Sequence, residues 1–242
     1  MTNSKSKSKK PSSSANRLSM SAENYLLSIY RLDEQDTRVT LTVLSEHLKT
    51  LPVDEGMGTS LPSVGGMIRR MVREGLLENT PQKDVVLTNL GRKSAESIVR
   101  RHRLAERLVV DLLGLDLHLA HIEAHRLEHA ISPILEEKIV AALNNPGTCP
   151  FGHPIPGSGY KGDSRARALD QASAGDRLII DSIPEDDQAL LEYLVGNKLV
   201  PGQLVTVKET AVTRGVVTLD CEGGEVVFSY DVAAKIWICP AE

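Results

Sequence analysis

Cysteine is scarce in this 242-residue chain: Cys149, Cys221 and Cys239 are all there is, an odd number with no CxxC spacing. That excludes a disulfide framework or a zinc ribbon and leaves small, inert thiols as the expectation. Long hydrophobic runs are missing too. Charge or Gly/Pro interrupts every apolar stretch within about ten residues, far short of the roughly 20 that a membrane-spanning helix needs, so no membrane association is expected. The Lys/Ser-rich start leads into no apolar stretch, so no secretory signal is expected and the chain reads as cytoplasmic. There is no HExxH spacing, and no separate nucleophile or oxyanion glycine loop accompanies the histidines. This weighs against a metallohydrolase and, with it, against an enzyme acting on a small-molecule substrate.

Positive charge is also short overall, with a net charge of −4. Its distribution tells more than its sum. Residues 1–103 carry 17 Lys and Arg against 11 Asp and Glu, residues 104–173 carry 6 against 9, and residues 174–242 carry 5 against 12. A surface for polyanions is therefore expected in the N-terminal part and not in the acidic C-terminal part.

What is present begins with a Lys/Ser/Asn stretch over residues 1–16 that reads as a disordered basic tail. From Ser21, a plausible N-cap, Leu26, Ile29 and Tyr30 recur at helical spacing. A second helix is expected over Leu41–Leu48. A third starts near Pro62 and Ser63, keeps Val64, Met67, Ile68 and Met71 on one face and Arg69, Arg70 and Arg73 off it, and stops at Gly75. Two short apolar runs, 76–78 and 85–87, flank a polar tip and predict a hairpin. Helix, helix, loop, helix, hairpin is the order of a winged helix-turn-helix, placed at residues 17–96. In such a unit Ser60, Ser63, Arg69, Gln82 and Lys83 are the candidates to touch double-stranded DNA, mainly at phosphates.

A helical part follows over residues 97–143, with one long helical segment reaching Gly114, a shorter one over 119–131, and a restart at Pro133. Residues 144–172, rich in Gly, Pro and Ser, read as a linker. Residues 173–242 switch to short period-two runs with one helical stretch at 185–194, which predicts a small β-barrel. The fold class is thus mainly α with a C-terminal small β-barrel.

Histidine is the residue whose placement carries chemistry. Of seven, His102, His118, His121, His125 and His129 fall within 28 positions. His121, His125 and His129 are spaced i, i+4, i+8 with Glu128 beside the last, and His102 and Glu106 are i, i+4 on the preceding helix. Two helices that each offer such a pair can converge lone pairs on a metal ion. His118 is off that ladder, and His47 and His153 read as ordinary histidines. A metal-storage protein or a hydrolytic metalloprotein remains an alternative for such a cluster, although neither accounts for the winged helix-turn-helix.

Three stretches resemble the diphtheria toxin repressor family of iron- and manganese-dependent regulators. They are Glu23-Asn24-Tyr25-Leu26 with Ile29-Tyr30; His102 to Arg107 followed by Leu113 to Asp116; and Glu123 to His129. The segment Cys149-Pro150-Phe151-Gly152-His153-Pro154-Ile155-Pro156-Gly157 is similar to the family's linker. The resemblance runs from about Ser21 to the end. It implies a homodimeric repressor of metal-uptake and homeostasis genes, with residues 97–143 as metal-binding and dimerisation domain and 173–242 as an SH3-like, FeoA-like domain. It also implies a primary metal site at Asn24, His125, Glu128 and His129, and an ancillary one at His102, Glu106, His121, Glu185 and Gln188, all of whose ligand types are present. The primary set departs from the iron-sensing pattern, which has Met at position 24 and Cys at position 125. Oxygen and nitrogen donors in place of sulfur favour harder ions, Mn²⁺ or alternatively Fe²⁺. Two further departures are an insertion at residues 52–59 in the helix-turn-helix turn, and the pair Gly65-Gly66 in the third helix, which costs roughly 2 kcal/mol of helix propensity.

Overall fold

The computed structural model describes residues 18–51 and 58–241; the expected basic tail and most of the 52–59 insertion lie outside them. Helix α1 is Met20–Glu34, capped by Ser19, whose Oγ accepts from the Ala22 amide. The cap lies two residues before the expected Ser21. Thr40 caps α2, Leu41–Leu48. Ser60 caps α3, Leu61–Arg73, where Pro62 occupies the first turn and costs no hydrogen bond. The helix runs unbroken through Gly65-Gly66. Strands β1, Leu77–Asn79, and β2, Val85–Leu87, form the antiparallel wing.

Helix α4, Asn89–Arg107, belongs to two cores. Its Ala95, Ile98 and Val99 pack with Leu26 and Ile29 of α1, Leu44 of α2, Ile68 and Met71 of α3, and Val85 of the wing. One to two turns on, Leu104 and Ala105 join Ala124, Ile131, Ile139 and Ile155. Beyond Arg107 the backbone leaves α geometry for a π-helical turn, Leu108–Leu112, and reverses at Gly114 with φ +73°. The single long segment expected to Gly114 is therefore two pieces. Helices α5, Ala120–Glu128, and α6, Pro133–Ala142, follow.

The C-terminal part comprises β3 (Arg167–Ala168), β4 (Arg177–Ser182), α7 (Gln188–Gly196), β5 (Leu204–Ala211), β6 (Val216–Cys221), β7 (Gly224–Ser229), α8 (Tyr230–Ala233) and β8 (Trp237–Pro240). The strands form one antiparallel sheet in the order β3-β8-β4-β5-β6-β7. Its end strands are not paired with each other among the described residues, so the SH3-like unit is an open sheet, with register shifts in β4 and β5. Its core, with Ile180, Val207, Leu219, Phe228 and Leu191, also takes in Val109, Ala120, Cys149 and Phe151. The segment 144–172 is thus buried at Cys149, Phe151 and Ile155. Glycine and proline there make tight turns against other elements: a Cβ on Gly152, φ +94°, would lie 2.0 Å from the Asp181 carbonyl oxygen.

Candidate metal centre

Successive turns of α4 point His102 and Glu106 at α5, which answers with His121, His125 and Glu128; His129 follows as its C-cap residue. His102, Glu106, His125 and Glu128 are at most 1% exposed, and His121 is 6% exposed. Three imidazoles, those of His102, His121 and His125, gather with ring centroids 4.5 to 4.9 Å apart. His102 Nε2 lies 2.9 Å from Glu106 Oε1 and 3.1 Å from His121 Nδ1, and His121 Nδ1 is 3.2 Å from the same Glu106 oxygen. Glu185, which precedes α7, completes a set of four: one ligand atom each from His102, Glu106, His121 and Glu185 lies within 4.8 Å of the others.

Gln188 is not drawn into that set. Its amide donates to the His118 carbonyl and to Glu192, both at 3.0 Å. The other group of sequence candidates centres on Glu128. Its Oε1 is 3.6 Å from His125 Nδ1 and 3.2 Å from His129 Nε2, while its Oε2 is 2.5 Å from His102 Nδ1. Glu128 therefore belongs to both groups. Asn24 is fully buried on α1.

Four contributors escaped the sequence reading. Glu23 is buried, with Oε2 2.7 Å from His129 Nδ1 and Oε1 2.8 Å from Arg101 Nη2. Arg31, in the last turn of α1, reaches Glu185, Asp186 and His121. Cys149 lies with Sγ 3.9 Å from Glu185 Oε2, and His153 Nε2 is 3.7 Å from the same oxygen. The Cys149-to-His153 motif was one available signal. Nothing marks a single Glu or Arg on an amphipathic helix, where a solvated charge is the ordinary reading.

Burial dominates the proton affinities. It pushes His102 down to about 4 and His125 down to about 3, and lowers His121 well below its ordinary value. The same loss of water raises Glu106 to about 7 and also raises Glu185. The cluster is thus a set of neutral imidazoles beside carboxyls that ionise reluctantly.

The DNA candidates lie on α3, at its N-cap and in the tip of the wing. Ser60, Ser63, Arg69, Gln82 and Lys83 are all exposed. Ser60 Oγ donates to Ser63 Oγ at 3.0 Å while capping α3, and the Arg69 guanidinium lies over Gly65. Lys83, at the wing tip, has φ +66°, and Arg38 Nη2 donates to the Gln82 carbonyl at 3.0 Å.

Three family models match in succession: iron dependent repressor N-terminal DNA binding domain over residues 17–85, iron dependent repressor metal binding and dimerisation domain over 88–157, and FeoA domain over 167–240. The iron-dependent repressor IdeR of Mycobacterium tuberculosis is 35% identical over 225 residues, which is 88% of this chain and 93% of that one. The chain belongs to the iron-dependent repressor family. As a member of it, the chain is also 36% identical over 157 residues to the diphtheria toxin repressor of Corynebacterium diphtheriae, covering 65% of this chain and 64% of that one. A solved manganese-dependent transcriptional repressor, in complex with manganese, superposes with a TM-score of 0.79 at 29% identity, over 91% of this chain and all of that one.

Two observations in this repressor test whether its donors suit a divalent ion. Glu128 Oε1 is a buried carboxylate oxygen that accepts no hydrogen bond among the described residues, yet two imidazole nitrogens flank it. The surrounding donors are imidazole nitrogen and carboxylate oxygen, the set that divalent first-row ions accept. The residues fit.

Proposed function

We propose that this repressor-family chain acts as a cytoplasmic homodimer whose grip on double-stranded operator DNA is switched on by a divalent metal ion, Mn²⁺ or alternatively Fe²⁺. The observation that carries the proposal is the buried histidine and glutamate cluster lodged between α4 and α5 and flanked by Glu23, Asn24 and Arg31 of α1, which is part of the helix-turn-helix core. The genes it controls are those of metal uptake and homeostasis, since a sensor of an ion is useful where that ion's supply is set.

In this reading Asn24, His125, Glu128 and His129 would hold the activating ion, which would supply the positive charge around which donors of α1 and donors at the end of α5 come together. Glu23 takes the His129 Nδ1 proton, which leaves Nε2 as the nitrogen turned toward Glu128. Leu26, Ile29 and Leu32 on the neighbouring faces of α1 are embedded in the same core as Val64, Ile68 and Met71 of α3. Whatever fixes α1 against α5 therefore fixes α3. In a dimer this sets the distance between two α3 helices, which must match half-sites a whole number of helical turns apart. The donor set lacks sulfur, which supports Mn²⁺ or Fe²⁺ over thiophilic ions. The histidines face one another and the glutamates in a buried cluster, an arrangement suited to binding rather than turnover.

Leu112 at the end of the π-helical turn, Leu113 just after it, and Ile134 and Leu135 at the start of α6 are exposed, Ile134 by 74%. All four lie in the stretch matched by the dimerisation model and are the proposed contact with a second copy. Ser60, Ser63, Arg69, Gln82 and Lys83 contact DNA, mostly at phosphates.

The test is fluorescence anisotropy with promoter DNA from upstream of the chain's own gene and of neighbouring metal transporters. Mn²⁺, anaerobic Fe²⁺ and Zn²⁺ are titrated separately at fixed salt. The expected result is affinity that rises steeply with Mn²⁺ or Fe²⁺ and is lost in His129→Ala. Full metal-dependent affinity in that variant would remove His129 from the switch, and indifference to every ion would remove the switch itself.

A further inference from the structure

The four-donor set of His102, Glu106, His121 and Glu185 already has a cation. Arg31 is 4% exposed, and its guanidinium Nη2 lies 2.7 Å from Glu185 Oε1 and 2.5 Å from Asp186 Oδ1, with Nη1 3.4 Å from His121 Nε2. From these contacts we infer that Arg31 is the resident counter-cation of this set and holds it closed to divalent ions, so that the chain's metal response resides in the Glu128 group. The inference rests on the metal-dependent reading above.

Three physical points carry it. First, a guanidinium in this environment stays charged: burial opposes the charge, but Asp186 and Glu185 more than compensate. A permanent positive charge in contact with two of the four donors repels a second cation at short range in a poorly screened interior.

Second, Arg31 claims the carboxylate that the set needs. Glu185 Oε1 is ion-paired with Nη2 at 2.7 Å without hydrogen-bond geometry, and its Oε2 faces His153 Nε2 at 3.7 Å and Cys149 Sγ at 3.9 Å. Third, Arg31 selects a tautomer. An arginine nitrogen can only donate, so His121 Nε2 accepts and the ring proton sits on Nδ1. That nitrogen faces Glu106 Oε1 at 3.2 Å and His102 Nε2 at 3.1 Å, toward the middle of the set. A protonated nitrogen offers no lone pair to an ion there.

The same guanidinium joins α1 to the acidic residues in front of α7. It thereby supplies, with one fixed charge, a tie between the helix-turn-helix core and the SH3-like unit that needs no ion.

The experiment is Mn²⁺ binding to the metal-free full-length protein, with free Mn²⁺ read from its paramagnetic resonance signal. Wild type is compared with Arg31→Met and with Arg31→Met/Asp186→Asn, which removes the buried cation together with its half-buried partner charge and so protects the fold. Wild type is expected to hold about one ion per protomer tightly. The variants are expected to hold about two, the added ion at least tenfold tighter than any second ion on wild type, a gain near 1.4 kcal/mol. Adding His121→Ala should abolish the gain. Two equally tight ions on wild type would overturn the inference. So would a cooperatively melting double variant whose second ion binds no more tightly than wild type's. Promoter binding by the same wild-type samples, with and without Mn²⁺, reports separately on the regulator reading. If DNA binding ignores Mn²⁺ while the variants still gain an ion, that reading fails and the assignment of Arg31 stands.

Discussion

His102, pushed down to about 4, and Glu106, pushed up to about 7, respond to the same loss of water in opposite directions, and the pH dependence of stability follows from their balance. Between the ordinary histidine value of 6.5 and about 4, the unfolded chain protonates His102 and the folded chain does not. Acidification through that window therefore withdraws stability, and His121 and His125 act in the same sense. Glu106 works the other way. Between 4.5 and about 7 its folded form holds a proton that the unfolded form has lost, so acid adds stability, and Glu185 is shifted in the same direction. His47 and His153 are lowered as well, so five histidines outweigh the raised carboxyls, the unfolded state takes up more protons, and stability falls as pH drops from 6.5 toward 5. In chelator, Glu106→Gln should steepen that fall, because one opposing carboxyl is gone. Chemical denaturation across the pH series reads it, and an unchanged slope would mean that Glu106 has an ordinary proton affinity.

Helix α4 couples the winged unit to the metal cluster, so its seating matters more than that of any other element. Thr88 caps it, and Thr88 Oγ1 also donates to the Gly75 carbonyl at 2.6 Å, fastening the helix start to the turn before the wing. Gly91 makes the seat possible: a Cβ there would stand 1.8 Å from the Leu76 carbonyl oxygen. Gly91→Ala must push α4 off the wing, and about 1–3 kcal/mol of stability should be lost, the usual cost of overpacking. Calorimetry should record a lower melting temperature. An unaltered melting temperature would show that the helix start can shift without cost. Helix periodicity made α1, α2, α3 and α4 legible, along with the wing, because each alternates or repeats cleanly. The end of α4 was not legible: Leu108 to Leu112 continue the apolar pattern, and nothing in it marks the change to π geometry.

Across the whole molecule, the exposed Leu112, Leu113, Ile134 and Leu135 need a covering surface, and a second copy supplies one in the proposed dimer. Leu113→Asp with Ile134→Asp should dissociate that dimer, as seen by sedimentation equilibrium, and should weaken promoter binding more than metal binding. A dimer of unchanged mass would place the interface elsewhere. The three matched stretches meet at the cluster: α1 from the first brings Glu23 and Arg31, α4 and α5 from the second bring the histidines, and the loop before α7 brings Glu185.

The sequence by itself determined the winged helix-turn-helix, the switch to short strands near residue 178, and two helices each carrying ligand-type residues at i, i+4, His102 with Glu106 and His121 with His125. Local periodicity and i, i+4 spacing fix those features wherever the chain goes. The grouping of His102, Glu106 and His121 was implied by the family resemblance. Tertiary structure alone decided that Glu185 joins them while Gln188 turns to the His118 carbonyl, that Cys149 and Phe151 are core rather than linker, and that Arg31 is buried among acids. Each of these depends on residues far apart in the chain meeting in low dielectric, and a charge's worth there is set by its neighbours rather than by its own type.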